Sequence, residues 1–172
     1  MKMFKRFAAA LLAGVMVLAM LTACGGTSSA PVAPVTRDEA LEKSVAEWTV
    51  ELSKGKLTAD ESLTAVSDKC LPACVKLWDA IIAKDKKAYA AAQTEMQNAF
   101  AAAANGKKVA PVDVMIPSGM EVTKEVLAQT VQNNWKNIQN ILTNTGVNNP
   151  TKFGVTVTKQ KGYTLILFMV SE

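Results

Sequence analysis

Three cysteines, Cys24, Cys70 and Cys74, and not one histidine bound the chemistry open to this 172-residue chain. Without histidine there is no Ser-His or Cys-His activation of a nucleophile, no general base with an ordinary pKa near neutrality, and none of the usual zinc ligation. No phosphate-binding glycine loop is present either. Gly25-Gly26 stands in a proline-punctuated stretch and the other glycines stand singly, so no G-x-G-x-x-G follows a strand. The sequence therefore implies no cofactor and no metal. Carboxylate pairs act on glycosides without histidine. However, Asp38, Glu39, Glu42, Asp60 and Glu61 gather at predicted helix starts, where acidic groups favour the N-terminal dipole.

Cys70 and Cys74 enclose Leu71-Pro72-Ala73, a spacing unlike the C-x-x-C of redox motifs. Residues four apart on a regular helix hold their Cβ atoms about 5–6 Å apart, whereas a disulfide needs about 3.8 Å. A disulfide thus requires the helix to break, and Pro72 can supply the break. The expectation is a structural disulfide, with two buried free thiols or a redox pair as alternatives. So small a ring constrains little of the unfolded chain, so its effect on stability would be modest.

Cys24 has a different setting. It follows Leu21-Thr22-Ala23 at the end of an apolar run from Phe7 to Leu21, which Lys2, Lys5 and Arg6 precede. This pattern resembles a bacterial lipoprotein signal. The run is too short to span a bilayer, which takes about 20 apolar residues. In lipoproteins such a cysteine receives a diacylglycerol thioether and becomes the acylated first residue. The resemblance implies that residues 1–23 are a signal peptide, that Cys24 carries the lipid, and that the protein sits on the extracytoplasmic face of a bacterial cell membrane. Two or more acyl chains hold a protein stably there, where one gives only reversible binding. Ordinary secretory cleavage near Ala23 is the alternative.

Of the 19 basic residues three lie before Cys24, leaving 16 against 15 acidic ones. The resulting charge of +1 gives no warrant for nucleic-acid binding. Residues 24–35 are small, uncharged and interrupted by proline, which reads as a flexible tether. Residues 36–172 remain as a single globular domain, large enough to bury a core without staples.

Periodicity divides that domain. Thr36 with Glu39 forms a capping box ahead of Leu41, Val45, Trp48 and Leu52. Thr58 with Glu61 repeats the signal ahead of Leu63, Val66 and Cys70, a stripe that Pro72 interrupts. A third helical segment runs through Leu77, Trp78, Ile81 and Ile82, and Asp85 caps a fourth that ends at Asn105-Gly106. Val109 to Ile116 alternates as an edge strand containing Pro111. One long helix is then predicted from Ser118 and Glu121 through Leu127, Val131, Trp135, Ile138 and Leu142. Phe153–Thr158 and Tyr163–Val170 flank Lys159-Gln160-Lys161-Gly162 as a hairpin.

The last strand decides the expected architecture. Leu165, Leu167 and Met169 alternate with Ile166, Phe168 and Val170, so both faces are apolar, whereas a strand with one wet face alternates with polar residues. The expectation is an α/β (α+β) domain, a helical N-terminal half plus a small sheet, arranged as a three-layer α/β/α sandwich. A two-layer domain whose second face meets a partner is the alternative.

Asn133, Asn137, Asn140 and Asn144 form an amide stripe opposite the apolar face of the predicted long helix. Amides donate and accept, as sugar hydroxyls require, so these four are the candidate ligand-binding residues, with an uncharged solvated face as the plainer reading. Trp48, Trp78 and Trp135 fall on apolar stripes and read as core or core-rim residues rather than a glycan platform.

Trp135, then Asn140-Ile141-Leu142, then Phe153-Gly154-Val155-Thr156-Val157 and Gly162-Tyr163 resemble the C-terminal part of the CAP superfamily, the cysteine-rich secretory and pathogenesis-related proteins. In that family a tryptophan-containing helix with an Asn-Ile-Leu run leads into a closing hairpin of an α/β/α sandwich. The family's cavity histidines have no counterpart here, so the resemblance implies a fold and no functional residue.

Two functions fit these residues. One is a membrane-tethered, non-catalytic binding or interaction domain, with an envelope glycan or protein as candidate partner. The other is an envelope enzyme using carboxylates, such as a glycan hydrolase, which needs two carboxyl groups about 5–9.5 Å apart in a pocket.

Overall fold

The computed structural model describes residues 35–172, so the Leu21–Cys24 motif and nearly all of the expected tether lie outside the described residues. The elements follow in the order α1 (Glu39–Leu52), β1 (Thr58–Ala59), α2 (Glu61–Ala83), α3 (Lys86–Ala104), β2 (Ala110–Pro117), α4 (Lys124–Asn133), α5 (Trp135–Thr145), β3 (Lys152–Gln160) and β4 (Tyr163–Ser171). The four strands form one mixed sheet in the order β1-β3-β4-β2, and the class is α+β. β3 and β4 are the expected hairpin, pairing antiparallel from Lys152↔Ser171 to Gln160↔Tyr163, and Gly162 takes the positive φ of 108° that the tight connection requires. β2 pairs antiparallel with the other side of β4, and β1 adds two residues parallel to the start of β3.

β4 is therefore interior, and its side chains divide by parity between two apolar clusters. Tyr163, Leu165, Leu167 and Met169 join Leu63, Val66, Leu71 and Trp78 of α2 and Met96 and Phe100 of α3. Ile166, Phe168 and Val170 join Val45 of α1, Leu127 of α4 and Ile138 of α5, together with Val112, Val114 and Ile116 of β2 and Phe153, Val155 and Val157 of β3. β2 alternates as expected, with Asp113 and Met115 on the α2 side.

The helices depart from expectation at three places. α2 runs unbroken through Pro72, where two segments were expected. The proline removes the hydrogen bond to the Asp68 carbonyl, but Asp68 is exposed, so water can take that carbonyl. Burial of Cys70, Leu71, Ala73, Cys74, Val75 and Trp78 around it outweighs the roughly 3 kcal/mol that an interior proline costs. Thr58–Ala59 is a strand, not a helix cap: the N-cap is Asp60, whose carboxylate accepts from the Ser62 and Leu63 N–H groups.

The predicted long helix is two helices. Asn134 separates α4 from α5, its side-chain Nδ2 donating to the Thr130 carbonyl at 2.9 Å while its own carbonyl accepts from the Asn137 and Ile138 N–H groups. Asparagine competes locally for backbone partners, and here that competition ends one helix and starts the next. Thr123, rather than Ser118, caps α4, and Asp38, rather than Thr36, caps α1.

Both parities of β4 matter if the layers are three. Ile166 and Leu167 are each 0% exposed, so Ile166→Ala and Leu167→Ala are expected to destabilise comparably, by about 2–5 kcal/mol each in urea unfolding. One severe and one nearly silent substitution, within about 0.5 kcal/mol of wild type, would contradict the three-layer arrangement.

Candidate functional site

The C-terminal half of α2 carries a group of polar contacts that sequence reasoning did not single out. Trp78 Nε1–H donates to Asp113 Oδ2 of β2 at 2.8 Å. Tyr163, 1% exposed at the start of β4, donates through its hydroxyl to Asp79 Oδ1 at 2.8 Å and lies 3.3 Å from the Val75 carbonyl. Cys74 and Cys70 lie one and two turns before Trp78. Burial pushes the Asp113 carboxyl up to about 6, partly offset by the Trp78 hydrogen bond. Burial likewise pushes the Cys70 thiol up to about 12, and raises Cys74 and the Tyr163 hydroxyl well above their ordinary values. Such thiols stay protonated at neutral pH and are poor nucleophiles.

The expected disulfide is not formed: Cys70 and Cys74 are free, buried thiols. The bond depended on a break at Pro72, and the continuous helix instead holds the two residues at the i, i+4 separation that is too wide for a disulfide. Cys24 lies outside the described residues.

The carboxylates at the helix starts have local partners. Asp38 accepts from the Leu41 N–H and pairs with Lys159 at 2.7 Å, and the Lys159 hydrogen bond holds its carboxyl below the usual range. Asp60 caps α2, with the Ser62 hydroxyl lowering its carboxyl in the same way. Glu42, 7% exposed, accepts from Arg37 Nε and from the Val157 N–H of β3, both at 2.9 Å. Glu39 and Glu61 stand exposed in first turns. These groups cap helices and close a sheet edge. Among the described residues no cluster of three or more His, Cys, Asp or Glu side chains is placed to hold a metal ion.

The amide stripe is divided by the break at Asn134. Asn133 ends α4 and accepts from Gln129 Nε2, while Asn137, Asn140 and Asn144 belong to α5. Asn140 and Asn144 are exposed and Asn137 is half-buried. Trp48 is half-buried and Trp78 buried, as expected, but Trp135 is 51% exposed rather than on the core or its rim. Trp135 opens α5 after the break at Asn134, so no preceding turn of its own helix flanks the ring. The adjacent Asn133-Asn134 pair was the signal in the sequence for this break. Among the described residues no helix is long and apolar enough to cross a membrane.

No protein-family model, curated protein or solved structure matches the chain.

The Asp113 site gives a pH test. A carboxyl whose folded pKa lies near 6 binds its proton more tightly folded than unfolded, so it favours the fold below about pH 4 and loses that contribution as pH rises through about 6. Asp113→Asn keeps an acceptor for Trp78 and cannot ionise. Relative to wild type the variant is expected to gain about 1–2 kcal/mol of stability between about pH 4 and pH 7 in urea unfolding. A difference that does not change with pH contradicts the assignment.

Proposed function

We propose that the chain is a bacterial lipoprotein whose domain binds a partner at the membrane surface without catalysing a reaction. The observation that carries the reading is Leu21-Thr22-Ala23-Cys24 after a basic and then apolar segment, followed by a small, uncharged, proline-interrupted tether. Acylation of Cys24 would hold the domain on the extracytoplasmic face of the membrane.

The way the domain begins supports this reading. Asp38 N–H donates to the Val157 carbonyl at 2.8 Å, and the Thr158 hydroxyl donates to the Thr36 carbonyl at 2.8 Å, so the first described residues are fastened to β3. A tether of residues 25–34 would then set the reach, at most about 3.3–3.6 Å per residue, or roughly 35 Å between lipid and fold. The partner, glycan or protein, is accordingly an envelope component close to the membrane. A degenerate CAP-like domain is part of this proposal. Its support is the succession of the Trp135 helix with Asn140-Ile141-Leu142 and the closing β3–β4 hairpin.

The reading is tested at Cys24. Cys24→Ala is expected to abolish lipid attachment and to leave an unprocessed or mislocalised precursor in membrane fractionation and intact-mass measurement. Unchanged fractionation together with an unchanged mature mass contradicts the lipoprotein reading.

A further inference from the structure

We infer that the end of the domain where β3 turns into β4 rests on the membrane, with Ile82 and Met120 entering a bilayer whose anionic headgroups meet the surrounding lysines. The inference deepens the lipoprotein reading and rests on it.

The chain leaves the fold toward that end. Asp38 N–H donates to the Val157 carbonyl, while the Thr36 carbonyl accepts from the Thr158 hydroxyl. Going back from residue 38 to residue 36 therefore moves along β3 toward Gln160 and the turn. A tether of residues 25–34 would start from this side of the sheet, so this is the end that acylation of Cys24 brings to the headgroups.

Two large apolar side chains stand exposed there. Met120, 50% exposed, lies in the turn after β2, where Ser118 N–H donates to the Gly162 carbonyl and Met120 N–H to the Pro117 carbonyl. Ile82, also 50% exposed, follows within one turn of Asp79, whose carboxylate accepts from the Tyr163 hydroxyl. Because α2 comes to Tyr163 from Gly154, near the far end of β3, its last turn runs on past the hairpin end. Both side chains leave water only if something covers this end.

The charges around them suit a lipid surface. Lys84, Lys86, Lys87 and Lys161 are exposed and form no ion pair among the described residues, whereas Lys159 pairs with Asp38. Of the acidic groups here, Asp79 is bonded to Tyr163 and Asp85 caps α3 through the Lys87 and Ala88 N–H groups, which leaves Glu121. Lysine stems lie along an apolar boundary while their heads reach anionic headgroups, and short apolar side chains among them enter the boundary itself. Two such side chains make a shallow and weak contact. The anchor makes weakness sufficient, because it holds the domain at high effective concentration at the surface.

The test uses the full chain, acylated and purified in detergent, reconstituted into vesicles of phosphatidylethanolamine with phosphatidylglycerol and into vesicles of phosphatidylcholine alone. A nitroxide is attached to Ile82→Cys, to Met120→Cys and to Leu52→Cys, an exposed apolar control at the end of α1 that leads into β1 beside Lys152. In anionic vesicles the labels at 82 and 120 are expected to gain oxygen collisions severalfold over collisions with a water-soluble nickel chelate, and the label at 52 to gain none. Changing Lys84, Lys86, Lys87 and Lys161 together to Gln should return both labels to water with the wild-type thermal midpoint. Should that variant lower the midpoint, raising salt to about 0.5 M carries the same expectation. Labels at 82 and 120 as water-exposed as the one at 52, or immersion indifferent to lysines, salt and lipid charge, overturn the inference. So does loss of label mobility without oxygen contact, which would place a second copy of the chain over this end. Intact mass of the same preparation reads the acyl group separately. An acylated chain with its labels in water loses this inference alone, and a mature chain without the acyl group loses the lipoprotein reading as well.

Discussion

The first turn of α2 rests on β3 at Gly154, and the rest of the α2 face is arranged around that contact. A Cβ at position 154 would collide with the backbone of Leu63 and Thr64, so only glycine lets the helix come this close. One turn further on, Ser67 turns the close approach into a polar lock. Its hydroxyl lies 2.7 Å from the Thr156 hydroxyl and donates to the Leu167 carbonyl at 2.8 Å, with Ser67 and Thr156 both fully buried. Toward its other end α2 reaches Asp113 through Trp78 and Tyr163 through Asp79. The helix is thus fixed to β2, β3 and β4. Among the described residues no buried side-chain polar atom lacks a partner, so this polar content adds specificity without orphaned groups.

The two edges of the sheet are closed by different means. Beyond the two residues of β1, the edge of β3 is occupied by the Asp38 N–H, which donates to the Val157 carbonyl, and by the Glu42 carboxylate, which accepts from the Val157 N–H. Arg37 pairs with that carboxylate and reaches Asp68 of α2 at 3.5 Å, which compensates the buried charge and links α1 to α2. On the other edge, Pro111 and Pro117 bring no N–H to β2, and Asp113 points inward between them. Prolines and inward-pointing charges are devices that discourage strand addition. Asp113 thereby serves the edge and the α2 contact together, although burial disfavours its ionised form.

Much of this was legible because burial follows parity. The alternation of β2, the hairpin around Gly162 and the two apolar faces of β4 are local patterns of period two, and each appears where the sequence predicts it. The Asp85 cap and the Asn105 end of α3 are legible for the same reason, since cap chemistry is decided within a turn. What was not legible depends on tertiary context. Pro72 reads as a break until the apolar residues on either side of it are seen to be buried. Trp135 reads as core because the predicted helix continues on both sides of it, whereas the break at Asn134 makes it the first residue of α5. Gly154 reads as one more strand residue, since nothing in its neighbourhood announces that a helix backbone will lie on it. Of the candidate site residues, Asn133, Asn140 and Asn144 are exposed, Asn137 is half-buried, and the cysteine pair did not form its bond.

The α2 side of the sheet carries the tight backbone contact together with the buried Ser67 hydrogen bonds. The claim on which the rest depends is that α2 sits on β3 only because residue 154 has no side chain. Urea unfolding of Gly154→Ala, beside the neighbouring Val155→Ala, tests it most directly. Overpacking usually costs about 1–3 kcal/mol, and a collision with backbone is expected to exceed that range or to prevent folding, while Val155→Ala unfolds as an ordinary cavity variant. A Gly154→Ala protein with the wild-type unfolding midpoint would contradict the account.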